Sequence, residues 1–271
     1  MRFAVNLPNF GPFSDPRLML ELGTTADEAG WDGFFIWDHI VIGDGVPVAD
    51  PWVLLGALAV ATDRIVIGTM VTPVPRRRPW VLARQATTVD HMSGGRLILG
   101  VGIGFPPDIE FGTFGEPVDD RERGDLLDEG LQVMRGMWSG EPFSFEGMSC
   151  RVRETTFAPR PARGTIPIWV AGMWPNHRPF RRAATCDGVF PMAADMHQLT
   201  PEEVSQIVDY VRGRRRVDGP FDVTIGGPPL SSTELEAYRG AGVTWYQVGP
   251  DPSGEHPEET RRWIAAGPPV S

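Results

Sequence analysis

A (β/α)8 TIM barrel is the fold class that this sequence predicts, on three observations. Short β-branched or aromatic runs alternate eight times with segments of helical apolar spacing, and the connections between them are short. The run GTMVTPVPRRRPWVLARQATTVDHMSGGRLILGVGIG, Gly68 to Gly104, contains a whole βαβ unit, whose strands must be parallel and covered by helices. The length, 271 residues, matches a barrel of about 250 residues better than a single ordinary domain, and 41% hydrophobic residues supply a large core. The expectation is one barrel domain over residues 1–271, with short insertions after the fourth strand and before the fifth.

In chain order, Phe3 to Leu7 is the first strand, and Pro16 to Ala29 is an amphipathic helix stopped by Gly30. Gly33 to Trp37 is the second strand, followed by a helix from Asp50-Pro51 to Thr62. Ile65-Val66-Ile67 opens the third strand. Trp80 to Met92 is a helix with Val81, Leu82, Val89 and Met92 apolar, and Leu97-Ile98-Leu99 opens the fourth strand. Arg121 to Trp138 reads as a long helix, and Phe143–Phe145 with Cys150–Arg153 as an inserted hairpin. Pro167 to Ala171 is the fifth strand, and Gly188 to Phe190 the sixth after a helix over Phe180 to Thr185. Thr200 with Glu203 three residues on forms a capping box that starts a helix from Pro201 to Arg215. Phe221 to Ile225 and Thr244 to Val248 are the last strands, separated by a short helix over Thr233 to Tyr238. A helix from Pro257 to Ala266 closes the set, and a frayed tail ends at Val270-Ser271.

Composition removes several function classes. The net charge is −10, which argues against nucleic acid or an anionic membrane as the main partner. No stretch approaches the roughly 20 apolar residues that span a bilayer, and the N-terminus reads directly as a strand, so no leader is expected. Cys150 and Cys186, in no metal or redox spacing, read as reduced thiols of a cytoplasmic protein. Every one of the 25 basic residues is arginine. Without lysine there is no Schiff-base aldolase and no lysine-linked pyridoxal phosphate. The five histidines show no HxH or HExxH spacing, so no metal site is expected.

Barrel enzymes place their chemistry at the C-terminal ends of the strands. Those positions hold Asn6 and Asn9, then Trp37, Asp38 and His39, then Thr69, Met70 and Val71, then Gly102, Ile103 and Gly104, and finally Gly172 to Arg178. His39 is the acid/base candidate, because imidazole titrates near neutral pH. It reads equally as a histidine tied to Asp38 that shapes its loop. Gly68, Gly102 and Gly104 are small enough for a flat ligand to approach the backbone. Arg76-Arg77-Arg78 reads more readily as a solvated loop than as a contact for an anionic tail. A helix starting near Pro179, with Asn176 and Arg178 beside it, offers free N–H groups to a phosphate.

The stretches AxxAGWDGFFIWDHI (Ala26 to Ile40), Gly68 to Gly104, RGDLLDEGLQVMRGMWSGEPFSFEG (Arg123 to Gly147), and IPIWVAG with the later DGVFP together resemble the luciferase-like monooxygenase superfamily. The resemblance covers nearly the whole chain. It implies FMN or coenzyme F420 in the barrel mouth, against a non-prolyl cis peptide at Met70-Val71. It implies catalytic roles for His39 and Asp38, and cofactor contacts from Trp37, His39, Thr69, Met70, Val71, Ile103, Gly104, Gly172, Met173, Trp174, Asn176 and Arg178. The Trp-Asp-His form resembles the F420-using branch, which makes F420 the first choice and hydride transfer to or from an uncharged organic substrate the expected activity. An FMN monooxygenase using reduced flavin and O2, and a flavin-holding barrel without turnover, are the alternatives. A flavin or F420 reductase and a second copy in a homodimer are the partners it allows. F420 sugar-phosphate dehydrogenases carry an acid directly after the fourth-strand glycine, where this chain has Phe105, and lysines for the substrate phosphate, which it lacks. The large apolar residues Phe10, Trp37, Phe105, Met173 and Trp174 suit an uncharged substrate instead.

Overall fold

The structure is a computed structural model that describes residues 1–250 and 256–269. The strands are β1 (Arg2–Leu7), β2 (Gly33–Ile36), β3 (Val66–Pro73), β4 (Leu97–Gly102), the hairpin β5 (Pro142–Glu146) and β6 (Arg151–Thr156), then β7 (Ile168–Trp174), β8 (Gly188–Ala193), β9 (Asp222–Gly227) and β10 (Trp245–Val248). All but the hairpin form one closed parallel barrel in the order β1-β10-β9-β8-β7-β4-β3-β2. The helices are α1 (Pro16–Glu28), α2 (Pro51–Ala61), α3 (Pro79–Met92), the short α4 (Pro107–Glu110), α5 (Asp120–Trp138), α6 (His177–Ala183), α7 (Pro201–Arg212), α8 (Ser232–Gly240) and α9 (Pro257–Ala265). The expected tail at Val270-Ser271 lies outside the described residues. Among the described residues no helix is long and apolar enough to cross a membrane.

Alternation along the strands sorts the core into two bodies. Val5, Leu7, Phe34, Ile36, Ile67, Leu99, Val170, Val223 and Tyr246 face the helices in one large cluster. Ala4, Phe35, Met70, Ile98, Trp169 and Trp245 point inward and fill the barrel below the mouth. Phe35 and Trp169 lie 5.4 Å apart, as do Trp169 and Trp245, so large rings close the lower interior.

Helix starts follow their caps. The Asp50 carboxylate accepts from the backbone N–H of Trp52 and Val53, and the Thr200–Glu203 box is present as expected. A second box, Ser231–Glu234, starts α8 one residue before the sequence-based boundary. In α3 the buried stripe is Leu82, Ala83, Ala86 and Val89, whereas Val81 and Met92 are exposed. Small alanines, not the largest apolar residues, mark that face, because α3 packs closely on β4 and on its neighbouring helices α2 and α5. The sixth barrel strand, β8, runs three residues beyond Phe190, and α6 starts at His177 under an Asn176 cap rather than near Pro179.

The glycines of β3 and β4 also correct a sequence-based reading. A Cβ on Gly68 would stand 2.1 Å from the Ile98 carbonyl oxygen, and one on Gly102 would stand 2.9 Å from Val71 Cγ2. Both small residues are consumed by close packing within the wall, not by a ligand. The β3–β4 register shifts between Thr69 and Thr72, and the Met70–Val71 peptide in that interval is cis, as the resemblance implies.

Candidate active site

His39 follows β2 and is fixed from both sides. Its backbone N–H donates to Asn9 Oδ1 (3.2 Å), and Asn9 Nδ2 donates to the His39 and Ala49 carbonyls at 2.8 and 2.7 Å. The ring sits in an aromatic cluster, with centroids 5.4 Å from Phe10 and 5.9 Å from Trp37. Its Nδ1 lies 2.9 Å from Oε1 of Glu110, whose side chain is fully buried. A carboxylate only accepts, so Nδ1 carries the proton and Nε2 keeps its lone pair. Among the described residues Nε2 has no hydrogen-bond partner.

Asp38 was expected to orient His39, and the structure corrects this. The Asp38 carboxylate is buried and accepts from Trp52 Nε1 (3.2 Å), Thr72 Oγ1 (2.8 Å), Arg76 Nη2 (2.7 Å) and Arg77 Nη2 (2.7 Å). Glu110 is the orienting anion, and Arg76 bridges the two carboxylates through Glu110 Oε2 and Asp38 Oδ1. The Arg76 side chain is only 5% exposed, so the arginine run is not a solvated loop; only Arg78 is exposed.

Burial, and then the Arg76 guanidinium, push His39 down to about 4, against Asp38, which raises it. His39 is therefore neutral at pH 7. Burial also lowers Arg76 from the usual guanidinium value, against Asp38, which raises it.

Glu110 comes from a segment in which no site residue was expected. The fourth-strand glycine, Gly104, has φ +87 and lies over the fully buried Phe111, where a Cβ would come within 2.6 Å of the ring. That turn brings α4 back across the mouth and aims Glu110 at His39. The acid missing at Phe105 is thus supplied five positions later, by Glu110. Phe105 itself is 61% exposed and stands on the rim rather than in the pocket.

The remaining expected contacts divide. Met70 and Val71 belong to the inner apolar cluster, Ile103 packs against the helix-side cluster, and Trp37 flanks His39. The Thr69 hydroxyl is spent within the wall, 3.1 Å from the Gly100 carbonyl oxygen and 2.9 Å from Thr72 Oγ1, whose own proton goes to Asp38. The Ile103 and Gly104 carbonyls accept from Arg123 Nη1. Gly172 packs on Pro179, and Met173 and Trp174 are half-buried. Asn176 Oδ1 caps the Arg178 N–H (3.2 Å). Arg178 does not stand free beside that loop as expected: its guanidinium donates to Asp125 and Asp128 of α5 at 2.5 and 2.8 Å. A recess of about 300 Å³ beside the cluster is lined by His39, Asp38, Arg76, Arg77, Ala49 and Asp50.

A parallel barrel with a histidine held by a buried acid at the C-terminal ends of its strands is the frame of a small-molecule barrel enzyme. Its particular kind follows from comparison. The chain belongs to the luciferase-like monooxygenase family, whose family model matches residues 1–267. It is 36% identical over 241 residues to the F420-dependent glucose-6-phosphate dehydrogenase of Microbacterium testaceum, covering 83% of this chain and 68% of that one. It spans about half the length of a protein of the same name from Nakamurella multipartita, 48%, at 34% identity over 166 residues, which are 59% of this chain. Among solved structures, monooxygenase RslO1 from Streptomyces bottropensis is 27% identical with a TM-score of 0.71, covering 89% of this chain and 75% of that one. An F420-dependent secondary alcohol dehydrogenase, 19% identical with a TM-score of 0.77 and 92% of both chains covered, shares the fold.

Proposed function

We propose that the protein is an F420-dependent oxidoreductase that transfers a hydride between the cofactor and an uncharged organic substrate. The observation that carries this reading is His39. Its Nδ1 is held by the buried Glu110, its Nε2 has no partner among the described residues, and burial holds its pKa low. The residues present fit a flat cofactor: Met70 and Val71 offer apolar surface at the cis peptide, Trp37 flanks His39, and the backbone of Gly172 to Asn176 would take the phosphate, with Arg178 tying that loop to α5. When bound, F420 supplies the two-electron acceptor or donor. His39 Nε2 takes or returns the substrate proton, Glu110 stabilises the imidazolium that results, and Asp38 with Arg76 keeps both in place. The lack of lysine supports an uncharged substrate over a sugar phosphate.

The test is a parallel fluorescence titration of the protein with F420 and FMN, followed by turnover of His39→Ala. F420 is expected to bind tighter than FMN, and the variant to lose about 10²–10⁴-fold in kcat while keeping cofactor affinity within a few-fold. Tighter FMN binding would favour oxygenation by reduced flavin, a reading that the similarity to monooxygenase RslO1 supports. Normal turnover in the variant would remove His39 from the chemistry.

A further inference from the structure

Among the described residues Arg123, at the end of the first turn of α5, is the least exposed arginine, at 1%. Its Nη1 donates to the Ile103 carbonyl at 2.9 Å and to the Gly104 carbonyl at 2.7 Å, and the guanidinium lies 4.8 Å from the centre of the Phe111 ring. Nη2 donates to Asp120, whose side chain is 74% exposed, and the buried Nε has no partner. Stability is a poor account of that arrangement. Taking a guanidinium out of water is costly, its one carboxylate stands in solvent, and one of its N–H groups goes unmatched.

The three groups that it does hold define the turn carrying Glu110. Ile103 and Gly104 lead out of β4, Gly104 turns the chain at φ +87, and Phe111 directly follows Glu110. Beyond that turn the segment closes on itself: the backbone N–H groups of Glu110, Phe111, Phe114 and Glu116 donate to the carbonyls of Pro106, Pro107 and Phe111. Among the described residues, the hydrogen bonds that tie it to the rest of the protein come from two places. One is the Glu110 carboxylate, against His39, Ile40 and Arg76, and the other is Arg123.

We infer that Arg123 is a positioning residue: by clamping Ile103, Gly104 and Phe111 it sets where Glu110 meets His39, and so which ring nitrogen keeps its lone pair. Glu110 rides on a helix of four residues, too short to hold its own direction. With the clamp in place its Oε1 stays 2.9 Å from Nδ1, the proton is fixed there, and Nε2 is the acceptor. Without the clamp the carboxylate drifts, and the imidazole reverts to the Nε2-protonated form that free histidine prefers. That form accepts nothing at Nε2. The inference deepens the proposed role of His39 and rests on that role for its bearing on catalysis; the clamp itself rests on the contacts alone.

The experiment reads the His39 tautomer by nitrogen NMR on the cofactor-free protein at about pH 8, above the ordinary histidine range. His39→Asn assigns its signals among the five histidines. The parent is expected to carry the proton on Nδ1. In Arg123→Met the ratio of Nδ1- to Nε2-protonated ring is expected to fall by about tenfold or more, the loss of a charge-assisted hydrogen bond. Arg123→Lys, which keeps a cation within reach of the carbonyls, is expected to recover most of it. Arg135→Gln, which frees the far end of α5 from the Thr185 carbonyl, is expected to leave the ratio unchanged. A merely structural Arg123 would lower the melting temperature and leave the tautomer in place, so an unchanged ratio in Arg123→Met overturns the inference. An equal fall in Arg135→Gln overturns it as well, since a loosened helix and not the clamp would then be responsible. Should Arg123→Met fail to fold, Arg123→Gln, too short for both carbonyls but still polar, is read in its place with the same expected fall, and an unchanged ratio there overturns the inference equally. The tautomer is read without F420, so a failure of F420 to bind strikes the proposed function alone.

Discussion

Arg76 and Arg77 meet Asp38 and Glu110 beneath the barrel mouth, and Arg178 and Arg182 meet Asp125 and Asp128 on the outer wall. The residue types are the same and the settings differ. In the first cluster both carboxylates are at most 1% exposed, while in the second Asp125 is 66% and Asp128 40% exposed. Desolvated charges are costly, and they persist only where every member has its partners. The inner cluster is therefore best explained by what it does to His39. The outer one ties α6, and the loop before it, to α5, and water already screens most of its charge.

The largest test of that contrast is Arg76→Met. It leaves Asp38 with one guanidinium and Glu110 with none, and the expected loss of stability is about 3–5 kcal/mol, read by urea denaturation. A loss below 1 kcal/mol would put the inner cluster on the same footing as the outer one. Next comes Glu110→Gln, which keeps the shape and removes the charge. Loss of a charge-assisted hydrogen bond to the imidazole predicts a fall in kcat of about ten- to a hundred-fold. The acid limb of the rate profile should move to lower pH, because a negative neighbour has gone. A purely structural Glu110 would leave that limb in place.

Acid titration separates the two clusters by window. The His39 pKa falls from 6.5 to about 4 on folding, so below 6.5 the unfolded chain takes up a proton that the native state refuses. Stability is lost as pH falls from about 6.5 to 4, by at most about 1.4 kcal/mol per pH unit, and His39→Asn should flatten that slope. For Asp128, burial raises the carboxyl pKa, but hydrogen bonds from Arg182 and Arg178 outweigh it and hold the group below its usual value. Its contribution is present above the unfolded carboxylate range and disappears only as pH falls below it. The smallest effect is expected of Arg178→Ala, about 0.2–1 kcal/mol in stability. If cofactor affinity falls tenfold or more in that variant, the loop that Arg178 braces holds the phosphate.

The barrel was legible because each strand is an uninterrupted run such as Ile65–Ile67 or Leu97–Leu99, bounded by glycine or proline. His39 was legible from its place at a strand end. Its partners were not, because 71 residues separate it from Glu110, and 38 separate Asp38 from the Arg76 that holds it. Nothing local in PPDIE marks Glu110; its role depends on the turn at Gly104. Three adjacent arginines resemble a solvated patch until the fold brings two carboxylates under the first two. The α3 face departs from expectation for a simpler reason: Val81 and Met92 are larger than Ala83 and Ala86 yet face solvent, so side-chain size does not mark the buried stripe there.

The proton acceptor and its anion ride on different segments of the chain. His39 is anchored to the wall through Asn9, whereas Glu110 sits on a four-residue helix in the loop after β4, whose outer side carries the exposed Phe105, Phe114 and Val118. Basicity at Nε2 is thus a property of where that loop rests. A molecule that lifted the loop would weaken the acceptor without touching it, and one that pressed the loop down would sharpen it. An inhibitor of this barrel need not reach the imidazole; it needs only to wedge apart the apolar rim above it.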